Sequence, residues 1–175
     1  MKRDLSLWQF GGFAFTALFG TLLHYLYDWF GQSLWIAPFS GVNESTWEHM
    51  KLLYFPLLLF ALLQSRFFTG YPNFWCVKLW GTVTGLFLIP VLFYTCNGAF
   101  GKTPDWFNIS IFFIADAAVY LLETRLLRQG KPRCARSRLA WLLLWAPCVL
   151  FLLFTFLPPK LPLFQDPLNG SFGVL

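Results

Sequence analysis

Residues 75–96 read Trp75-Cys76-Val77-Lys78-Leu79-Trp80-Gly81-Thr82-Val83-Thr84-Gly85-Leu86-Phe87-Leu88-Ile89-Pro90-Val91-Leu92-Phe93-Tyr94-Thr95-Cys96, with a single charge, Lys78, near the start. A helix needs roughly 20 predominantly apolar residues to cross the hydrocarbon of a bilayer, and this stretch supplies them. Working outward, four further stretches meet the same requirement, at about 5–30, 46–66, 106–127 and 138–157. The breaks between them carry turn chemistry: Gly31-Gln32-Ser33, Gly70-Tyr71-Pro72-Asn73, Gly98 to Pro104, and Gln129-Gly130-Lys131-Pro132. The expected fold is therefore all-α, a polytopic bundle of about five transmembrane helices forming one domain over residues 1–157. An irregular tail is expected over 158–175, after Pro158-Pro159.

Composition agrees. The 175 residues are 57% hydrophobic and 12% charged, about half the charge of a soluble domain. Aromatic residues make up 21%, which suits lipid-facing surfaces and the interfacial belts favoured by Trp and Tyr. The net charge of +5 does not indicate nucleic-acid binding, because the basic residues cluster between apolar runs, where the positive-inside bias accounts for them. The partner implied is the lipid bilayer. Lys2 and Arg3 are followed by an apolar run that continues through His24 and Asp28 without an A-x-A-like cleavage site, so it reads as a retained first span. The four cysteines, Cys76, Cys96, Cys134 and Cys148, lie far apart without a C-x-x-C pair and indicate neither a zinc site nor a disulfide framework.

Lys2, Arg3, Arg66, Lys78, Arg125, Arg128, Lys131, Arg133, Arg136 and Arg138 all fall on one side of a five-span bundle; Lys51, Lys102 and Lys160 fall on the other. Ten against three predicts a cytoplasmic amino terminus and an external carboxyl terminus. No motif recurs at a fixed period, which disfavours an inverted-repeat transporter within one chain.

Ionisable groups at membrane depth are costly and mark candidate sites. His24, Asp28, Glu44, Glu48, His49 and Lys51 fall in one layer near the outer ends of spans one and two, and Asp116 lies nearer the midplane. His24 and Asp28 are four apart and share a helix face. An acid in the last turn opposes the macrodipole, so Asp28 requires a positive partner such as His24 or Lys51. Ser45 and Glu48 match S-x-x-E, a capping box for span two, and Trp47 then belongs to an aromatic belt. In span four, Phe112, Asp116, Tyr120 and Glu123 fall near one face, Glu123 is assigned to the interface beside Arg125, and Asn108 and Ser110 add neutral hydrogen-bonding groups. Asn43, Asn108 and Asn169 begin Asn-x-Ser triplets that formally match glycosylation acceptors, with Asn43 too close to a helix start to be an attractive one.

Several motifs together resemble a known group. Gly20-Thr21-Leu22-Leu23-His24-Tyr25 with Tyr27-Asp28-Trp29, Val42-Asn43-Glu44-Ser45 with Trp47-Glu48-His49 and Lys51-Leu52, Tyr71-Pro72-Asn73-Phe74, and Phe93-Tyr94-Thr95 resemble a bacterial integral-membrane family catalogued only as a domain of unknown function. The V-N-E-S-x-W-E-H-x-K-L block is the most specific part, and the likeness covers roughly the first 120 residues. It implies membrane topology and a bacterial plasma-membrane setting, and it transfers no mechanism.

Four functions fit these residues. The first is a site for a small cation, proton or polar solute in the outer half of the bundle, with Asp116 as a deep relay and a homodimer completing any pathway. The second is a metal-dependent hydrolase or transferase on lipid-linked substrates, with a divalent ion on His24, Asp28 and His49, although no H-E-x-x-H is present. The third is bis-His haem between His24 and His49. The last is an accessory subunit whose polar layer fixes helix packing through interhelical hydrogen bonds of about 1 kcal/mol each.

Overall fold

The computed structural model of the chain describes residues 2–101, 103–132 and 134–174. Lys102 and Arg133, counted above for sidedness, lie outside the described residues, as do the side chains of Lys2 and Arg3. Five helices follow in order: α1 Lys2–Trp29, α2 Thr46–Ser65, α3 Phe74–Phe100, α4 Asp105–Gln129 and α5 Ser137–Phe156. Four of them, α1, α3, α4 and α5, are long and apolar enough to cross a membrane. The exception is α2, whose opening turns carry Glu48, His49 and Lys51.

Those polar turns are accommodated because α2 is the central helix, with thirteen of its twenty residues buried. One side, with Leu52, Leu53, Leu57 and Phe60, packs on Ile89 of α3 and on Phe112, Ala115, Val119 and Tyr120 of α4. The other side, with Trp47, Tyr54 and Leu58, packs on Leu144 and Phe151 of α5. Trp47 is thus a core residue in tilted and edge-on contact with Phe151, Phe154 and Phe164, and not the belt residue expected from the sequence. Tyr54 donates its hydroxyl proton to the Leu144 carbonyl at 2.6 Å, tying α2 to α5 just upstream of Pro147.

Between α3 and α4 the contact is unusually close. A Cβ at Gly81 would lie 2.6 Å from Glu123 Oε1, and one at Gly85 would lie 2.6 Å from Val119 Cγ2. Gly81 and Gly85 form the small-xxx-small spacing that lets membrane helices approach without side-chain interference. Lys78, one turn earlier, then reaches Glu123 at 2.6 Å, both nearly fully buried. The interfacial role expected for Glu123 is corrected accordingly: it is a core carboxylate neutralised across two helices.

At one end of the bundle Leu5, Phe68, Phe74, Val77 and Leu127 form a third apolar cluster. Here Asn73 Nδ2 donates to the Lys131 carbonyl at 2.9 Å, and Cys76 and Cys134 form a disulfide with Cα atoms 5.9 Å apart. The expectation of four unpaired cysteines is corrected by this pair. The two cysteines are 58 positions apart in sequence, and the antiparallel return of α4 beside α3 brings them together. Cys96 and Cys148 are free.

At the opposite end the loop after α1 folds back on its own helix. Ser40 Oγ donates to the Leu23 carbonyl and accepts from the Tyr27 amide. The tail is also anchored: a 3-10 turn spans Pro162–Phe164, Gln165 and Phe172 form a β-bridge, and the Val174 amide donates to the Thr155 carbonyl.

Candidate functional site

A cleft of about 370 Å³ opens at the end of the bundle that carries the tail. Its walls follow from helical spacing. On α3, Ile89, Phe93 and Asn97 are four apart and run from an apolar floor to a polar mouth. On α4, Asp105 and Asn108 stand at the mouth and Ile111 and Phe112 at the floor. His24 from the end of α1, Thr46 and His49 from the start of α2, and Glu44 from the loop between them close the other side. Pro167 and Leu168 of the tail complete the rim.

Glu44 is the centre of this arrangement. His24 Nε2 lies 3.6 Å from Glu44 Oε1, and His49 Nε2 lies 3.5 Å from Glu44 Oε2. The two imidazole rings are 5.7 Å apart. His49 Nδ1 lies 3.0 Å from the Ser45 carbonyl. A carbonyl oxygen only accepts, so Nδ1 carries the proton, and in the neutral ring Nε2 is a bare acceptor. That bare nitrogen faces a carboxylate oxygen. Two facing lone pairs at 3.5 Å favour a donor between them, such as a proton on the ring or an N–H cation supplied from outside.

The loop that bears Glu44 is held at both of its neighbours and at its own amide. Asn43 Nδ2 donates to the Gly173 carbonyl at 3.1 Å, Asn43 Oδ1 accepts from the Ser45 amide at 2.9 Å, and the Glu44 amide donates to Asp166 Oδ2 at 3.2 Å. Asp166 is buried and also accepts from the Leu168 amide at 2.7 Å, so one carboxylate sets both the Glu44 loop and the rim residue Leu168. Across the cleft, the Thr103 amide donates to Asn97 Oδ1 at 2.9 Å and its hydroxyl donates to Asn108 Oδ1 at 2.7 Å. Asp105 sits in the first turn of α4, where the helix dipole favours its negative charge.

The sequence candidates divide sharply. His24, Glu44, His49 and Asn108 come together at the cleft. Asn43 and Ser45 support it from the loop. Asp28 does not join them: it is exposed and is not a cleft residue, and neither His24 nor Lys51 is its ion-pair partner, since His24 turns to Glu44 and Lys51 to Glu48. Lys51 and Glu48 form a buried pair at 2.6 Å. Lys51 Nζ donates further to the Ala37 carbonyl at 2.8 Å and to Thr155 Oγ1 at 3.0 Å. The capping box is half formed: the Glu48 amide donates to Ser45 Oγ at 3.4 Å, but the Glu48 carboxylate accepts from the Val42 amide and from Lys51 instead of returning to Ser45. Asp116 is fully buried, and among the described residues neither of its oxygens has a hydrogen-bonding partner.

Asn97, Thr103, Asp105, Asp166 and Leu168 were not legible as site residues. The four-residue spacing of Phe93 and Asn97 was the one available signal, and it does not indicate which neighbour the face meets. Among the described residues, no group of three or more His, Cys, Asp or Glu is disposed to hold a metal ion. The two histidines converge on one carboxylate and do not oppose each other across a haem-sized gap.

Comparison with known proteins adds a family. The sequence model of a family of unknown function (DUF6512) matches residues 1–174, and the chain belongs to that family. No curated protein and no solved structure matches it.

Proposed function

We propose that this member of the DUF6512 family is a multi-pass membrane protein that binds a small ammonium-type cation in the cleft around Glu44. The observation that carries this reading is His49 Nε2 facing Glu44 Oε2 at 3.5 Å, the ring's other nitrogen being committed to the Ser45 carbonyl. A protonated amine offers N–H donors to both acceptors at once and to His24 Nε2 beside them. Asp105 across the cleft adds a second negative charge, and the rings of Phe93 and Phe112 give the cation polarisable walls. The cleft ends at Ile89, Ile111 and Phe112, which supports binding in preference to conduction.

The basic residues at the other end support an orientation with the cleft on the outer face, and the resemblance supports a bacterial inner membrane. Purified protein in lipid nanodiscs, titrated calorimetrically with ammonium, small primary amines, alkali ions and zinc, tests the reading. Amines should bind, and Glu44→Gln should weaken them about tenfold, the scale of a hydrogen bond to a charged group. Binding of zinc alone would replace the proposal with a metal site, and heats unchanged by Glu44→Gln would end it.

A further inference from the structure

We propose that the groove between α3 and α4 at the basic end of the bundle is a binding site for one anionic phospholipid of the surrounding bilayer. The groove encloses about 850 Å³. Trp80, Leu122 and Leu126 form its apolar wall, and Gln129 and Lys131 stand at its rim. An apolar channel ending in an ammonium and a carboxamide matches an amphiphile: an acyl chain along the wall and a phosphate at the rim. Trp80 is 56% exposed although it faces this channel, so its ring is open to an occupant.

Positive charge predominates at this end, where Asp4 in the first turn of α1 is an exposed acid. Lys131 stands at the rim, and Arg125, Arg128, Arg136 and Arg138 are exposed at the same end of the bundle outside the groove lining. The acid nearest to them along the chain, Glu123, is buried and neutralised by Lys78 at 2.6 Å. A helix carboxyl end ordinarily repels a phosphate through its free carbonyls. Here that repulsion is reduced, because the Gly130 amide donates to the Leu127 carbonyl at 3.2 Å and the Lys131 amide to the Leu126 carbonyl at 3.0 Å. Gly130 takes a left-handed φ of 63° to make this turn. Asn73 Nδ2 holds the Lys131 carbonyl beside the start of α3, which fixes the rim. Basic pockets between membrane helices are where anionic headgroups lodge, and the charge complementarity selects such a lipid over a second copy of this equally basic end.

Native mass spectrometry of the protein released from nanodiscs of phosphatidylcholine with a minor share of phosphatidylglycerol tests the site. Wild type should retain one phosphatidylglycerol far above its share in the disc. Lys131→Glu should cut that retention about tenfold or more, and Trp80→Ala should cut it to a lesser degree. Arg138→Glu reverses a charge at the same end without altering the groove lining and should leave retention unchanged. All three variants alter exposed positions and should match wild type in elution and helix content. Equal retention of phosphatidylcholine, an equal loss in Arg138→Glu, displacement by soluble glycerol phosphate, or a lipid-free dimer broken by Trp80→Ala would each overturn the proposal. None of these outcomes bears on the cleft at the opposite end.

Discussion

Lys51 Nζ lies 2.6 Å from a carboxylate oxygen of Glu48, one turn earlier on the same helix, with both side chains cut off from solvent. The pair is also where three parts of the chain meet. Glu48 holds the Val42 amide, and Lys51 holds the Ala37 carbonyl and the Thr155 hydroxyl, so the first loop and the end of α5 are fastened to α2 through two charges. Removing one partner leaves the other buried and uncompensated. Lys51→Met is therefore expected to cost about 3–5 kcal/mol, and the double change with Glu48→Gln to recover part of that loss. Thermal unfolding in detergent, read by circular dichroism, decides: a double variant no more stable than the single one would show that the pair matters for its other bonds and not for its charge balance.

The tail acts on the cleft through Asp166. Its carboxylate fixes the Glu44 amide and the Leu168 amide together. Asp166→Ala is expected to raise the dissociation constant for an amine several-fold and to expose the tail to limited proteolysis. Intact binding with a cleaved tail would separate the two roles and remove Asp166 from the site.

Asp116 has the opposite character: a fully buried carboxyl with no hydrogen-bonding partner among the described residues. An unsatisfied polar group in such a place costs roughly 1–3 kcal/mol by mutational measures. Asp116→Leu should accordingly raise stability by about that amount while leaving amine binding in the cleft unchanged. A fall in stability would show that the carboxyl is held by a group outside the protein. In reconstituted vesicles Asp116→Asn should leave ion flux unchanged, whereas loss of a proton-dependent flux would establish the relay role.

The disulfide and the charge distribution set opposite expectations for the same end of the bundle. Exposed Lys and Arg residues favour the cytoplasm, whereas disulfides persist in oxidising compartments. The charge bias governs insertion, so Cys76 and Cys134 should be trapped as thiols when cells are acid-quenched and alkylated, and should pair once the protein is purified. A pair that resists alkylation until reduced would place this end outside. In the purified protein, Cys134→Ser should lower stability by about 2–4 kcal/mol, the usual range for closing a loop of this kind.

The helices were legible because membrane spans are written in local composition. Gly31, Gly70-Tyr71-Pro72-Asn73 and Gly130-Lys131-Pro132 stand in the breaks between the observed helices, and the expected span at 46–66 corresponds to α2 at Thr46–Ser65. Half of the site was legible for the same local reason, since Glu44 and His49 flank one helix start. What remained hidden depends on pairs distant in sequence. Nothing near Lys78 points to Glu123, nothing near Cys76 points to Cys134, and nothing near Glu44 points to Asp166. The reading of Glu48 as a full cap failed because Lys51 offers its carboxylate a stronger partner than the Ser45 amide does.

The two buried ion pairs also differ in how they can be made during biosynthesis. Glu48 and Lys51 are three residues apart on one helix, so α2 can leave the translocation machinery already neutral. Lys78 and Glu123 belong to different helices, and each carries an uncancelled charge until α3 and α4 close at Gly81 and Gly85. The α3–α4 hairpin is consequently the unit that must be released into lipid as a whole, and a substitution at Lys78 or Glu123 strands the surviving charge at the insertion step, before any function is at stake.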